Sequence, residues 1–94
     1  MPDAPGPLAT VTLPAALLRL FPSALPRVEV SAGSVADAIA ALDRRWPGMR
    51  DRLCDSRPAI RRHIAIFVAG RRARLDTPIP AGAAVLVTTS MSGG

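Results

Sequence analysis

The sequence predicts one small α+β domain in which a mixed sheet of four or five strands packs on one main helix. Three observations support this prediction. The chain has 94 residues, and domains average roughly 100–200 residues. One segment near the middle has a clear helical period. Short segments with alternating apolar residues lie on both sides of that helix, as expected when a sheet and a helix share one core.

The main helix is predicted after Ser34, which is a favourable N-cap residue. Asp37 lies three positions later, near the positive end of the helix dipole. Apolar side chains then recur at helical spacing and form one stripe, and Pro47-Gly48 ends the segment. The stripe consists of Val35, Ile39, Leu42 and Trp46.

Five segments are predicted to be strands because polar and apolar residues alternate along them. The first two, residues 8–13 and 27–31, are expected to pair antiparallel. Residues 63–69 form the strongest strand, with Ile64, Ile66 and Val68 on one face. Residues 71–75 are expected to be a short edge strand, and residues 84–89 the last strand.

The remaining parts of the chain are predicted to be turns, short helices and ends. Pro22 and Pro26 interrupt residues 15–26, so a loop or a single helical turn followed by a bend is expected there. Residues 49–54 suit a short second helix. Residues 1–7 contain three prolines and a glycine and are expected to be disordered, and residues 90–94 are expected to be a flexible tail.

This order of elements places the main helix between the second and third strands, so that the helix crosses one face of the sheet. Four or five short strands wrapped on one helix make the β-grasp arrangement. We therefore predict a β-grasp domain over residues 8–89, with a short second helix packed beside the main one.

The composition excludes several classes of protein. A single Cys allows no intramolecular disulfide and no thiolate zinc site, and no apolar run reaches the ~20 residues of a membrane span. We expect a cytoplasmic protein with no membrane partner. All twelve cations are Arg, and the net charge is +5. No aromatic residues are interspersed among these arginines as nucleic-acid stacking requires, so we expect either a solvated basic surface or an acidic protein partner.

Three stretches of the sequence carry a family resemblance. The first is SVADAIAALDRRWPGMRDRLCD (34–55), the second is RRHIAIFVAGRRARLDTPIPAG (61–82), and the third is the final Gly93-Gly94. Together they resemble the MoaD/ThiS family of ubiquitin-like sulfur carriers over residues 8–94. The length and the second helix resemble those of the longer members of that family.

The resemblance implies a carrier and not an enzyme. In such carriers an activating enzyme uses ATP to adenylate the carboxylate of the last glycine, here Gly94. A sulfur donor then converts it to a thiocarboxylate, and an acceptor enzyme takes the sulfur for cysteine, thiosugar, thiamin or molybdopterin synthesis. The carrier binds no cofactor or metal itself. Two alternatives share the same tail: the small subunit of a molybdopterin synthase, and a protein modifier conjugated through Gly94.

The tail suits entry into a partner's active site. Gly93 and Gly94 have no Cβ, so their backbone fits a narrow channel. Residues 90–94 span at most about 17 Å when extended. Many family members end in Pro-Val-Ala-Gly-Gly, whereas this chain ends in Ser-Met-Ser-Gly-Gly, which leaves the downstream pathway open. Met91 is either an anchor in a partner groove or a flexible apolar residue. The residues expected to enter the partner are Ser90, Met91, Ser92, Gly93 and Gly94.

Four further residues are candidates for partner docking. If Ile64, Ile66 and Val68 pack under the helix, Phe67 faces the open side of the sheet, where an aromatic side chain suits docking. Alternatively, Phe67 packs under residues 15–26. Arg71, Arg72 and Arg74 either meet acidic partner residues or protect the sheet edge as solvated charges.

Other chemically interesting residues are expected to be structural. Cys54 follows apolar neighbours in the second helix and is expected to be buried. His63 has no nucleophile at a suggestive spacing, and Trp46 completes the apolar stripe of the main helix. Asp51 and Asp55 lack a third ligand and predict no metal site.

Overall fold

The structure is a computed structural model that describes residues 8–90. Its elements follow one another as five strands and three helices, with the main helix between the second and third strands. In chain order they are β1 (Leu8–Thr12), α1 (Ala15–Leu20), β2 (Arg27–Ser31), α2 (Val35–Arg45), α3 (Met49–Leu53), β3 (Ile64–Val68), β4 (Arg71–Arg72) and β5 (Ala84–Thr89).

The strands form one mixed sheet in the order β2-β1-β5-β3-β4. β1 and β5 lie side by side in parallel at the centre, and the other neighbours pair antiparallel. Along the chain, α1 connects β1 to β2, whereas α2 and α3 connect β2 to β3. The antiparallel pairing of β1 and β2 and the β-grasp arrangement are thus confirmed.

α2 begins and ends as its sequence predicts. The Ser34 side chain accepts a hydrogen bond of 3.2 Å from the Asp37 backbone N–H, which satisfies one of the donors at the helix start. At the other end, Gly48 has φ of +101°, a left-handed conformation that suits glycine. The chain can therefore turn directly from α2 into α3.

The core lies between α2 and one face of the sheet. Every residue in it is apolar, and the β-branched side chains of the sheet meet the stripe of α2. Residues that are essentially inaccessible to solvent fix the position of the helices on the sheet. They are Leu42, Met49, Leu53, Ile66, Val11, Val35 and Val87.

Three elements end within one residue of their predicted bounds, and two differ more from the sequence prediction. Residues 15–20 form a six-residue helix, longer than a single turn, because Leu17 is buried in the core and Leu18 packs against it. β4 covers only Arg71–Arg72, not residues 71–75. Ala73 is buried and its N–H still donates to the Ile66 carbonyl, but beyond it the chain turns towards Thr77, whose hydroxyl accepts from the Arg74 N–H.

Candidate functional site

The chain leaves the sheet at the end of β5, beside the start of β3. The Ser90 N–H donates a hydrogen bond of 2.7 Å to the carbonyl of His63. Of the five predicted tail residues, Ser90 is therefore held at the sheet. The predictions for Met91, Ser92, Gly93 and Gly94, and for residues 1–7, lie outside the described residues.

A row of side chains crosses the face of the sheet opposite α2. The register pairs β4 with β3, β3 with β5, β5 with β1, and β1 with β2 at one level. Paired residues in neighbouring strands project from the same face. We call this set the open-face row; it consists of Arg72, Phe67, Leu86, Thr12 and Arg27.

Phe67 belongs to this open face. Its strand neighbours Ile66 and Val68 are buried under α2, whereas Phe67 is only half-buried and lies outside the core cluster. The segment 15–26 reaches the other side of the molecule, where the Phe21 ring lies beside Gly48. The geometry therefore agrees with the first interpretation of Phe67, in which it faces the open side of the sheet.

Leu86 is a member of this face that the sequence interpretation missed. It pairs with Phe67 on one side and Thr12 on the other, and 43% of its surface is exposed. The alternation in β5 contains the signal, because Val85 and Val87 are buried and Leu86 lies between them. Phe67 and Leu86 together form an apolar centre with an arginine at each end of the row.

The three predicted docking arginines occupy different positions. Arg71 and Arg72 form the two-residue strand β4 and are exposed. Arg74 lies past β4, and its Nε is 4.0 Å from the Asp76 carboxylate at a site where both side chains are more than four-fifths exposed. A pair so exposed contributes little to stability. These charges can protect the sheet edge and can also contact an acidic partner.

Two of the residues expected to be structural, Cys54 and Trp46, are buried, whereas His63 and Asp51 are exposed. Burial raises the pKa of the Cys54 thiol, so this thiol is poorly suited to act as a nucleophile. Trp46 is buried, with the Arg45 guanidinium 4.9 Å from its ring centre. Within residues 8–90, no three His, Cys, Asp or Glu side chains are grouped so that they could hold a metal ion.

The loop after α3 is organised by one carboxylate. Asp55 accepts hydrogen bonds from the backbone N–H groups of Arg57 and Ala59, and the Arg57 guanidinium lies 2.6 Å from its other oxygen. The side-chain hydrogen bond from Arg57 is the main cause that lowers the pKa of Asp55 to about 2. The Asp55 carboxylate therefore stabilises the conformation of this loop.

Solved structures of known proteins share this fold over nearly its whole length. A chain of the Amycolatopsis orientalis BexX/CysO complex matches with a TM-score of 0.80 and 22% identity, covering 92% of this chain and 99% of that one. Small archaeal modifier protein 1 from Haloferax volcanii matches with a TM-score of 0.77 and 26% identity, covering 93% and 99%. Mycobacterium tuberculosis CysO matches with a TM-score of 0.77 and 24% identity, covering 88% and 99%.

These matches confirm the resemblance to MoaD/ThiS-like ubiquitin-fold proteins. No protein-family model matches the chain, and no curated protein sequence matches it significantly. No helix in the described part of the chain is long and apolar enough to cross a membrane.

Proposed function

We propose that this protein, which shares the fold of CysO and small archaeal modifier protein 1, is a sulfur carrier activated at Gly94. The observation that carries the proposal is the position of the Gly93-Gly94 pair. Gly93 is the fourth residue after Thr89, where the last strand ends. Two glycines that follow the last strand so closely in the sequence suit delivery of a carboxylate to another protein.

The proposed chemistry takes place on an activating enzyme. A carboxylate oxygen of Gly94 attacks the α-phosphorus of ATP, which forms an acyl adenylate and releases pyrophosphate. Hydrosulfide then attacks the acyl carbon and displaces AMP, so that a C–S bond replaces a C–O bond. The product is a thiocarboxylate, whose sulfur an acceptor enzyme removes. The carrier itself contributes no acid or base to these steps.

The exit point of the chain favours this role. The Ser90 N–H is bonded to the His63 carbonyl at the sheet margin, so four further residues lead to the end of the sequence. Four residues span at most about 14 Å when extended. Such a reach lets the last glycine enter an active site while the body of the carrier stays outside.

The open-face row supports docking of that body on the activating enzyme. Phe67 and Leu86 give an apolar centre, and Arg72 and Arg27 lie at its two ends. Protein–protein interfaces commonly have apolar anchor residues at the centre and charged groups at the rim. We propose that Phe67 and Leu86 contact an apolar patch of the activating enzyme and that the arginines meet acidic residues.

Intact-mass spectrometry tests the proposal directly. The protein carries an affinity tag at the Met1 end and is purified from its native cells, or incubated with the activating enzyme, ATP and sulfide. We expect a mass increase equal to the exchange of one oxygen for one sulfur, located at Gly94 by fragmentation. The variant that lacks Gly94 is the control and keeps its original mass. An unchanged mass in the intact protein, in cells and in the reconstituted reaction, contradicts the proposal.

The match to small archaeal modifier protein 1 favours a second candidate. In that alternative, Gly94 forms an amide with lysines of other proteins. This chain has no lysine of its own, so its side chains cannot extend a lysine-linked chain. Covalent adducts on other proteins that disappear when Gly94 is removed indicate the modifier role. A thiocarboxylate without adducts indicates the carrier role.

A further inference from the structure

A groove lies at the edge of the sheet formed by β3 and β4, and it shares Arg72 with the open-face row. It runs between the first turn of α2, the loop before β3 and the segment after β4, and it encloses about 850 Å³. Its apolar floor includes Ala36, Ile60, Ile64 and Leu75. Ile60 and Leu75 are only partly buried against the core, so an apolar side chain of a partner has surface to contact there.

One wall of the groove is the edge of β3 before β4 begins, where the Ile64 N–H donates to the Arg61 carbonyl. In the described residues, β4 pairs only with Phe67 and Val68 of β3. The His63 carbonyl bonds towards β5, and the Ile66 carbonyl bonds to Ala73 on the opposite side. Carbonyls alternate in direction along a strand, so the Ile64 carbonyl also points away from β5. No described strand pairs with β3 at that point, which leaves an acceptor for an incoming extended chain.

The charges around the groove favour an acidic occupant. Four arginines and one aspartate line it. The Arg61 Nε is held by the Asp51 carbonyl at 2.8 Å, which fixes this guanidinium at the rim. Arg62 and Arg74 are exposed at the same groove. Arginine is well suited to paired hydrogen bonds with carboxylates.

We propose that this groove binds an extended segment of a partner protein in which a short apolar stretch is flanked by acidic residues. The apolar stretch packs between Ile60 and Leu75, one of its backbone N–H groups donates to the Ile64 carbonyl, and its carboxylates meet Arg62 and Arg74. The groove meets the open-face row at Arg72, while its apolar residues are distinct from Phe67 and Leu86. This inference goes beyond the proposed function and does not depend on Gly94.

The test uses the full protein and a synthetic peptide, Asp-Asp-Val-Ile-Val-Asp-Asp, with blocked ends. Proton–nitrogen NMR spectra of the labelled protein are recorded during a peptide titration. We expect the amide signals of Ala36, Ile64 and Leu75 to shift, and those of Thr12 and Leu86 to stay in place. A peptide with N-methyl groups on the backbone of its central residues is expected to bind more weakly, because it has no N–H to donate to the Ile64 carbonyl.

Charge-reversal variants identify the contacts. In Arg62→Glu/Arg74→Glu, two attractive pairs become repulsive, so we expect the peptide dissociation constant to rise by at least about tenfold. Ala36→Glu places a bulky negative group at the groove wall and is also expected to weaken binding. The variant is expected to fold, because a carboxylate in the first turn of a helix is favourable. The control Arg19→Glu/Arg44→Glu makes the same change in net charge at exposed positions outside the groove and is expected to bind the peptide with little change.

Four outcomes overturn the inference. The first is the absence of any shift at about 1 mM peptide, a concentration that detects even weak binding. The second is equal binding of the basic peptide Lys-Lys-Val-Ile-Val-Lys-Lys. The third is a set of shifts centred on Leu86, which assigns the peptide to the open face. The fourth is tighter binding of a single-stranded RNA than of the acidic peptide at the same residues.

Discussion

The two faces of the sheet differ sharply although the same strands form them. On the face under α2, four of the strands each contribute at least two aliphatic side chains that are almost wholly buried, such as Ile66 and Val87. On the open face, the intervening positions hold Thr12, Phe67 and Leu86, which remain partly or largely exposed. One short strand can therefore contribute stability through one side and recognition through the other, because successive side chains point in opposite directions.

The largest expected effect compares the same substitution on the two sides. Leu42→Ala leaves a cavity under α2, where Leu42 is 1% exposed, and is expected to lower the free energy of unfolding by about 2–5 kcal/mol. Leu86→Ala on the open face is expected to lower it by less than about 1 kcal/mol. Urea denaturation followed by circular dichroism measures both values. Equal losses of unfolding free energy in the two variants contradict the conclusion that the face under α2 contributes more to stability than the open face.

The next effect concerns docking. Leu86→Asp places a charge at the apolar centre of the open-face row, so we expect kcat/KM for activation of Gly94 to fall by at least about tenfold, or ~1.4 kcal/mol. Pyrophosphate release by the activating enzyme measures this rate. Leu25→Asp is the matched control, since Leu25 is 48% exposed and lies outside the strands and helices. A similar loss in both variants removes the argument for an open-face contact.

A smaller effect tests how firmly α2 covers its face of the sheet. Ser34→Ala removes the hydrogen bond to the Asp37 N–H and is expected to cost about 1 kcal/mol of unfolding free energy. Ser56, an exposed loop residue, provides the control in Ser56→Ala. Thermal and urea denaturation compare the two variants, and no difference between them argues against a role for the cap in stability.

The smallest effect concerns the Asp55 loop, which belongs to neither face. The pKa of Asp55 is lowered from 3.8 to about 2. A carboxyl with a depressed folded-state pKa contributes stability above its unfolded pKa and loses it as the pH falls towards the folded value. We therefore expect the loop to loosen between about pH 4 and pH 2, measured as amide exchange at Ala59. Asp55→Asn should remove this dependence, and titration of Asp55 near its ordinary pKa contradicts the interpretation.

The sequence predicted α2 well because its signals are local. The Ser34 cap, the apolar spacing and the Pro47-Gly48 stop all act within a few residues of one another. The alternation in residues 64–68 similarly predicted which side of β3 is buried. In the candidate site, the same alternation placed Phe67 on the open side as one of two alternatives, and the position of the 15–26 segment decided between them.

Other features depend on partners distant in the chain. A six-residue helix between prolines has little stability of its own, and α1 exists because Leu17 inserts into a core formed by other elements. Leu86 joins Phe67 only through the register of β5 against β3. β4 is short because the chain after Ala73 is drawn into a turn at Thr77.

By itself, the sequence determined the class of fold, the limits of the main helix and the aliphatic side of the strands, since periodicity, capping and composition act over a few residues. Only the tertiary structure decided the order of strands in the sheet, the open-face row and the arginine-lined groove. Each of these joins residues far apart in the chain, and their proximity follows from how the shared core packs.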